Sequence, residues 1–160
     1  MGILDDQYTQ VLDGWRADPI RYLREQLGIE KIWSLQRDLI NAVLTAQQTH
    51  QQIYVGSGNG LGKDYIASGI ANWFLETQIP SKVILTAAGH RQVDTIMWRE
   101  TLSKFQSRKI KAFGRAYSNP YIEIRKEDWF LIGFATKETG ASAEAAGAKF
   151  KGYHARNLLI

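Results

Sequence analysis

One short stretch, Gly56-Ser57-Gly58-Asn59-Gly60-Leu61-Gly62-Lys63-Asp64, combines glycine at every second position with a lysine and a carboxylate. Glycine accepts backbone angles that a side chain forbids, so successive N–H groups of such a turn can point inward and surround phosphate oxygens. A helix opening at Lys63 would add its positive N-terminal end. The lysine, a flexible cation, would reach the β- and γ-phosphates. The chemistry expected of Ser57, Gly58, Asn59, Gly60, Leu61, Gly62, Lys63 and Asp64 is therefore binding of a nucleoside triphosphate, ATP with Mg²⁺, with Lys63 as the residue in the catalytic position. The plainer alternative is a glycine-rich turn with an exposed lysine.

Two positions depart from the usual phosphate-loop pattern. That pattern has glycine five residues before the Gly-Lys pair, where this chain has Ser57, and a Ser or Thr after the lysine, where it has Asp64. The missing hydroxyl would normally bind Mg²⁺. A carboxylate can hold the ion directly or through water, but it repels the phosphates unless the metal lies between them, so nucleotide affinity is expected to depend strongly on metal. Asp64 could equally serve the helix alone, as a cap and as a charge favouring the dipole.

Such a loop needs a strand leading in and a helix leading out. Gln52-Ile53-Tyr54-Val55 is short, β-branched and aromatic, and is predicted to be a buried strand. A helix from Lys63 to about Gln78, the strand Lys82 to Thr86 and a helix from about Arg91 to Phe105 come next. That alternation predicts an α/β fold, a parallel sheet flanked by helices. Upstream, Tyr8, Val11, Leu12 and Trp15 form one apolar helical face. Pro19 is placed to open a second helix that Gly28 would end. A third fits Ser34 to Thr49, with Leu35, Leu39, Val43 and Leu44 on one side. Downstream, Tyr121 to Arg125 alternates and Trp129 to Phe134 is nearly continuous, which predicts a hairpin or two neighbouring strands. Thr139 to Gly147, rich in Gly, Ala and Ser, is expected to be a mobile loop.

The 160 residues suit one compact domain. The absence of cysteine excludes thiolate metal sites and cysteine nucleophiles and fits a reducing compartment. No apolar run approaches the roughly 20 residues of a membrane helix, and Met1 to Asp6 lacks the order of a secretory signal, so a cytoplasmic protein with no membrane partner is expected. Charge is uneven: residues 1–50 carry five Lys or Arg against seven Asp or Glu, the remainder fifteen against nine. Arg99, Lys104, Arg108, Lys109, Lys111 and Arg115 face only Glu100 in their segment. That region, Arg108, Lys109 and Lys111 above all, reads either as a contact for nucleic-acid phosphates or as a solvated surface.

With these features in order, the chain resembles the ATPase domain of the large terminase subunit, the DNA-packaging motor of tailed bacteriophages. The resemblance rests on Trp33-Ser34-Leu35-Gln36-Arg37, the loop Ser57 to Lys63, Trp73-Phe74-Leu75, Lys82 to Ala88 with His90-Arg91-Gln92-Val93 and Trp98, and Phe150-Lys151-Gly152-Tyr153-His154-Ala155 leading into Leu158-Leu159-Ile160. It spans residues 33 to 160.

The resemblance implies a P-loop NTPase fold of the RecA-like ASCE kind, with residues 1–50 an N-terminal helical segment bearing the adenine-side motif and 51–160 an incomplete ATPase core. It implies that Gln36 reads the adenine edge with Trp33 nearby, and that Thr86 with the turn to Gln92 links nucleotide to translocation. His90 and Arg91 could contact phosphate or cap a helix. Family loops often carry arginine where this chain has Asn59. The family's metal-binding Asp and water-activating Glu come after the Leu158-Leu159-Ile160 strand, so the chain is expected to be a fragment cut near that strand, without the nuclease domain, and inactive alone in hydrolysis. Implied partners are double-stranded DNA, the terminase small subunit and the portal protein, with self-association open. Alternatives are a helicase-like or replication-initiation P-loop ATPase, and a non-hydrolysing nucleic-acid-binding module on the same fold.

Overall fold

The computed structural model describes residues 6–58, 60–136 and 152–160. Helix α1 (Asp6–Ala17) presents the expected stripe and buries Leu12 and Trp15. Asp18 ends it and caps α2 (Pro19–Glu25), its carboxylate accepting from Arg21 N at 3.0 Å, with Pro19 in the first turn where its missing N–H costs nothing. Helix α3 (Ser34–Thr49) comes next in the chain. Helix α4 (Lys63–Thr77) is the hub: from Ser68 to Thr77 every residue is buried. A helix closed in on all sides is a core element rather than a surface one. It packs against α1, α2, α3, α5 (Trp98–Ser107) and the sheet.

The sheet has the order β2-β3-β4-β1-β5, from β1 (Lys82–Ala87), β2 (Arg115–Ala116), β3 (Tyr121–Arg125), β4 (Trp129–Ala135) and β5 (Leu158–Leu159). β1 runs parallel to both β4 and β5, while β2, β3 and β4 are antiparallel. The expected hairpin is therefore β3–β4, its turn closed by Arg125 and Asp128, Nε to Oδ1 at 2.5 Å. The sheet is mixed: its parallel half lies around β1.

Two expectations need correction, at Gln52–Val55 and at Leu35. Gln52–Val55 is not a buried strand: it lies outside the sheet, with Ile53, Tyr54 and Val55 at 37%, 88% and 51% exposure. Both edges of β1 are taken by β4 and β5, and β5 offers a ladder only two residues long. So few hydrogen bonds do not offset ordering four residues at about 1–2 kcal/mol each. The helix expected from about Arg91 to Phe105 is present, with its Gln92–Met97 stretch wound as a π-helix that runs into α5. It lies close on β4 because position 133 is glycine, where a β-carbon would meet Val93 Cγ1 at 3.0 Å and Pro120 Cβ at 2.8 Å. Leu35 is exposed, unlike Leu39, Val43 and Leu44, which pack on the core. Trp15, Tyr22 and Leu23 share one hydrophobic cluster with Ile66, Trp73 and Leu75 of α4. The stretch Thr139 to Gly147 lies outside the described residues.

Candidate functional site

The glycine-rich loop turns into α4 through two left-handed residues, Gly60 at φ 77° and Gly62 at φ 73°. A side chain at either would be strained, which explains glycine there. Gly62 is the N-cap and accepts the first helical bond, from Ile66 N at 3.1 Å. Lys63 opens the helix, with Nζ 3.4 Å from Gly58 O, so its ammonium folds back over the loop. Ser57 Oγ lies 3.5 Å from the carbonyl oxygen of its neighbour Gly58. Ser57, Gly58, Gly60, Leu61 and Asp64 are exposed, while Gly62 and Lys63 are half-buried; Asn59 lies outside the described residues. Asp64 is not the cap, because Gly62 holds that place; it stands in the first turn, where its charge complements the dipole.

Helix α3 closes on the loop from the side. Gln36 Oε1 accepts from Trp33 N at 3.1 Å, which caps α3 and aims the amide nitrogen outward. A β-carbon at Gly62 would stand 3.1 Å from Gln36 Nε2. The third residue of α3 is thus placed against the last glycine of the loop. Trp33 is 64% exposed, so its ring is not core packing. Asp64, Ala67 and Ser68 of α4 share a cavity of about 20 Å³ with Leu85, Met97 and Thr101, which sets the first turn of α4 over the carboxyl-terminal half of β1. Ligands of parallel sheets bind at such strand ends. There Thr86 Oγ1 is buried and, among the described residues, has no hydrogen-bond partner.

The chain matches no protein-family model, no curated protein and no solved structure. Among the described residues no group of three or more His, Cys, Asp or Glu gathers as a metal cage. No helix of the described residues is long and apolar enough to cross a membrane.

The basic region separates into two kinds of residue. Arg108 is buried and its guanidinium is ion-paired with Glu76, which corrects its assignment to nucleic-acid contact: its charge is spent inside the fold. Glu76 also accepts from Tyr22 Oη at 2.5 Å and Gln26 Nε2 at 3.2 Å. Lys104 is likewise buried, its ammonium 2.9 Å from Glu100 and 3.8 Å from the Tyr65 ring centroid; burial holds it below the usual lysine range, against the pull of Glu100. Lys109, Lys111 and Arg115 are exposed. His90 and Arg91 are exposed at the start of the π-helical turn, where Gln92 N and Val93 N donate to Gly89 O. Sequence reasoning missed the concavity beside Lys111 that Gln106 and Ala116 line. The left-handed Gly114 at its rim was the one signal available.

Proposed function

We propose that this chain binds ATP with Mg²⁺ through the 57–64 loop, as the nucleotide-binding part of a motor ATPase of the terminase large-subunit kind that moves double-stranded DNA. The observation that carries the reading is the convergence of two separate elements on one glycine: the loop's lysine and left-handed glycines from one side, and the Gln36 amide on Gly62 from the other. A glycine turn with a stray lysine does not require an amide and an exposed tryptophan held beside it. In this reading the loop N–H groups and the α4 N-terminus hold phosphate oxygens, and Lys63 neutralises their charge. Gln36 Nε2 donates to the adenine edge, and Trp33 covers the base. Asp64 is the residue that would hold Mg²⁺. Bound Mg²⁺ would draw charge from the transferred phosphoryl group.

A second reading, a nucleic-acid-binding module that keeps the loop without hydrolysis, is favoured by Asp64 in the hydroxyl position and by the exposed Lys109, Lys111 and Arg115. Thermal-shift titration with ATP, ADP and AMP, each with and without Mg²⁺, tests the first. A phosphate cradle predicts stabilisation by ATP and ADP with Mg²⁺ and little by AMP. Equal shifts for all three would remove the phosphate site. Steady-state phosphate release by the same protein, with and without duplex DNA, then separates a motor from a binding module.

A further inference from the structure

The sheet ends at β2, and among the described residues no strand lies on its outer side. Tyr117 N donates to Tyr121 O at 3.0 Å, while Arg115 and Ala116 stand opposite Glu123 and Ile122. Antiparallel pairs alternate between hydrogen-bonded and non-hydrogen-bonded, so the next bonded pair after 117 and 121 is Arg115 with Glu123, and Ala116 with Ile122 is not bonded. The N–H and C=O of Ala116 therefore point outward, away from β3. Among the described residues neither has a hydrogen-bond partner.

Beside this edge lies an open cavity of about 260 Å³, lined by Phe105, Gln106, Arg108, Lys111, Gly114 and Ala116. Small-molecule sites begin at about 300 Å³, so the volume suits one inserted side chain better than a whole ligand. Its back is closed. Phe105 and Arg108 are buried and stacked on each other, and the guanidinium is paired with Glu76, so neither offers a free group. The polar side chains open to an occupant are Gln106 and Lys111, both exposed. Ala116 packs against the core, so a residue paired with it on an added strand would carry its side chain on the same face, into the cavity. Arg115, one residue away, belongs to the opposite face with Glu123. Lys109 and Lys111 are exposed, and among the described residues neither has an ion pair. Glu25, whose carboxyl feels Lys109, already accepts from Arg21 Nε at 2.9 Å and Trp15 Nε1 at 2.8 Å.

We infer that the edge of β2 takes an extended acidic peptide as a further strand, its backbone bonded to Ala116 and one carboxylate side chain seated in the cavity beside Lys111 and Gln106. In strand addition the main-chain bonds supply affinity, and pockets for alternate side chains supply specificity. Both parts are present here, and the unpaired lysines set the sign of the partner. A nucleic-acid strand could meet the lysines but has no peptide groups to pair with Ala116. A second copy could pair there but would bring the same lysines against these, and lysine beside an edge strand is a usual guard against such self-pairing. The inference does not depend on the nucleotide loop.

The test is fluorescence anisotropy with a labelled eight-residue peptide of alternating glutamate and valine. In an extended strand its glutamates share one face and direct their N–H groups to one edge. The peptide should bind saturably. N-methylation of the glutamates, which removes the N–H groups facing Ala116, should weaken it by about fivefold or more, the share of one hydrogen bond, while N-methylation of the valines should leave affinity unchanged. Lys111→Ala, at an exposed position, should weaken the parent peptide by about fivefold, and a peptide with glutamine in place of glutamate should be weaker and indifferent to that substitution. No saturable binding, a glutamate-methylated peptide as tight as the parent, or affinity unmoved by Lys111→Ala would overturn the inference. So would displacement of the peptide by dT10, which would make the edge a phosphate surface, or a sedimenting dimer that Ala116→Pro dissolves, which would give it to a second copy.

Discussion

Lys63 stands one residue past a left-handed glycine, folded over the loop that would hold its ligand, and its neighbours decide what that ligand can be. If Asp64 shares a metal with the phosphates, Asp64→Ser should leave Mg²⁺-ATP affinity similar or better, and Asp64→Ala should change affinity mainly when Mg²⁺ is present. Since Gly62 already occupies the cap, a purely helical role would show as a stability change of about 0.3–1 kcal/mol through the dipole, the same with and without metal. Isothermal titration of both variants, each with EDTA and with Mg²⁺, separates the two outcomes. Trp33 gives a second readout. It is 64% exposed, whereas Trp15, Trp73, Trp98 and Trp129 are each at most 5% exposed, so the solvent-relaxed emission belongs to Trp33. ATP should quench that red component, and the quench should vanish in Trp33→Phe. A quench that survives the substitution would place the adenine elsewhere.

At the scale of elements, α5 is fastened to α4 at two levels: Lys104 over Tyr65 near the loop, and Arg108 on Glu76 near the other end. Removing one member of a buried ion pair strands the other, so Arg108→Ala should destabilise by about 3–5 kcal/mol in urea titrations, far more than an exposed lysine would. The exposed Lys109 and Lys111 should behave oppositely. Reversing both to Glu should leave the melting temperature nearly unchanged and flatten the salt dependence of DNA binding, by about 0.9 for each duplex phosphate no longer neutralised. The same network sets an alkaline limit. Burial, and then the Glu76 carboxylate, push the Tyr22 phenol well above 10.0, so its contribution is whole below about pH 10 and is lost as pH rises past it. Tyr8 acts in the same direction. Lys104, held below 10.5 by burial, opposes them, since the folded chain gives up that proton first. Tyr22→Phe should therefore make the loss of stability above about pH 10 shallower, measured as melting temperature against pH. Periodicity made α1, α3, α4 and the β3–β4 hairpin legible, because each buries a regular stripe or run. It did not reveal that Arg108 is interior. In sequence, Arg108 stands in a cationic run, and only the return of the chain past Glu76, Tyr22 and Gln26 gives it partners.

For the molecule as a whole, the decisive difference between sequence and structure is Gln52–Val55. Its composition reads as a buried strand, but a strand needs a neighbour, and with β1 flanked by β4 and β5 the segment runs exposed into the loop. Local preference could not report which edges of the sheet would be taken. The loop was legible for a different reason: its chemistry lies in consecutive residues, glycines and a lysine at the head of a helix. The approach of Gln36 was anticipated only through resemblance, while the cavity beside Lys111, assembled from α5, a left-handed glycine and an edge strand, left almost no trace in sequence order. The central claim, that Lys63 and its loop bind the phosphates of ATP, is tested most directly by calorimetric titration of Mg²⁺-ATP into the wild-type chain and Lys63→Ala, with melting curves showing both folded. One charge-assisted phosphate contact contributes roughly 1.5–3 kcal/mol, so the account predicts saturable binding to the wild type and at least about tenfold weaker binding to the variant. Equal affinity in the two, or heat that does not saturate in either, would contradict it.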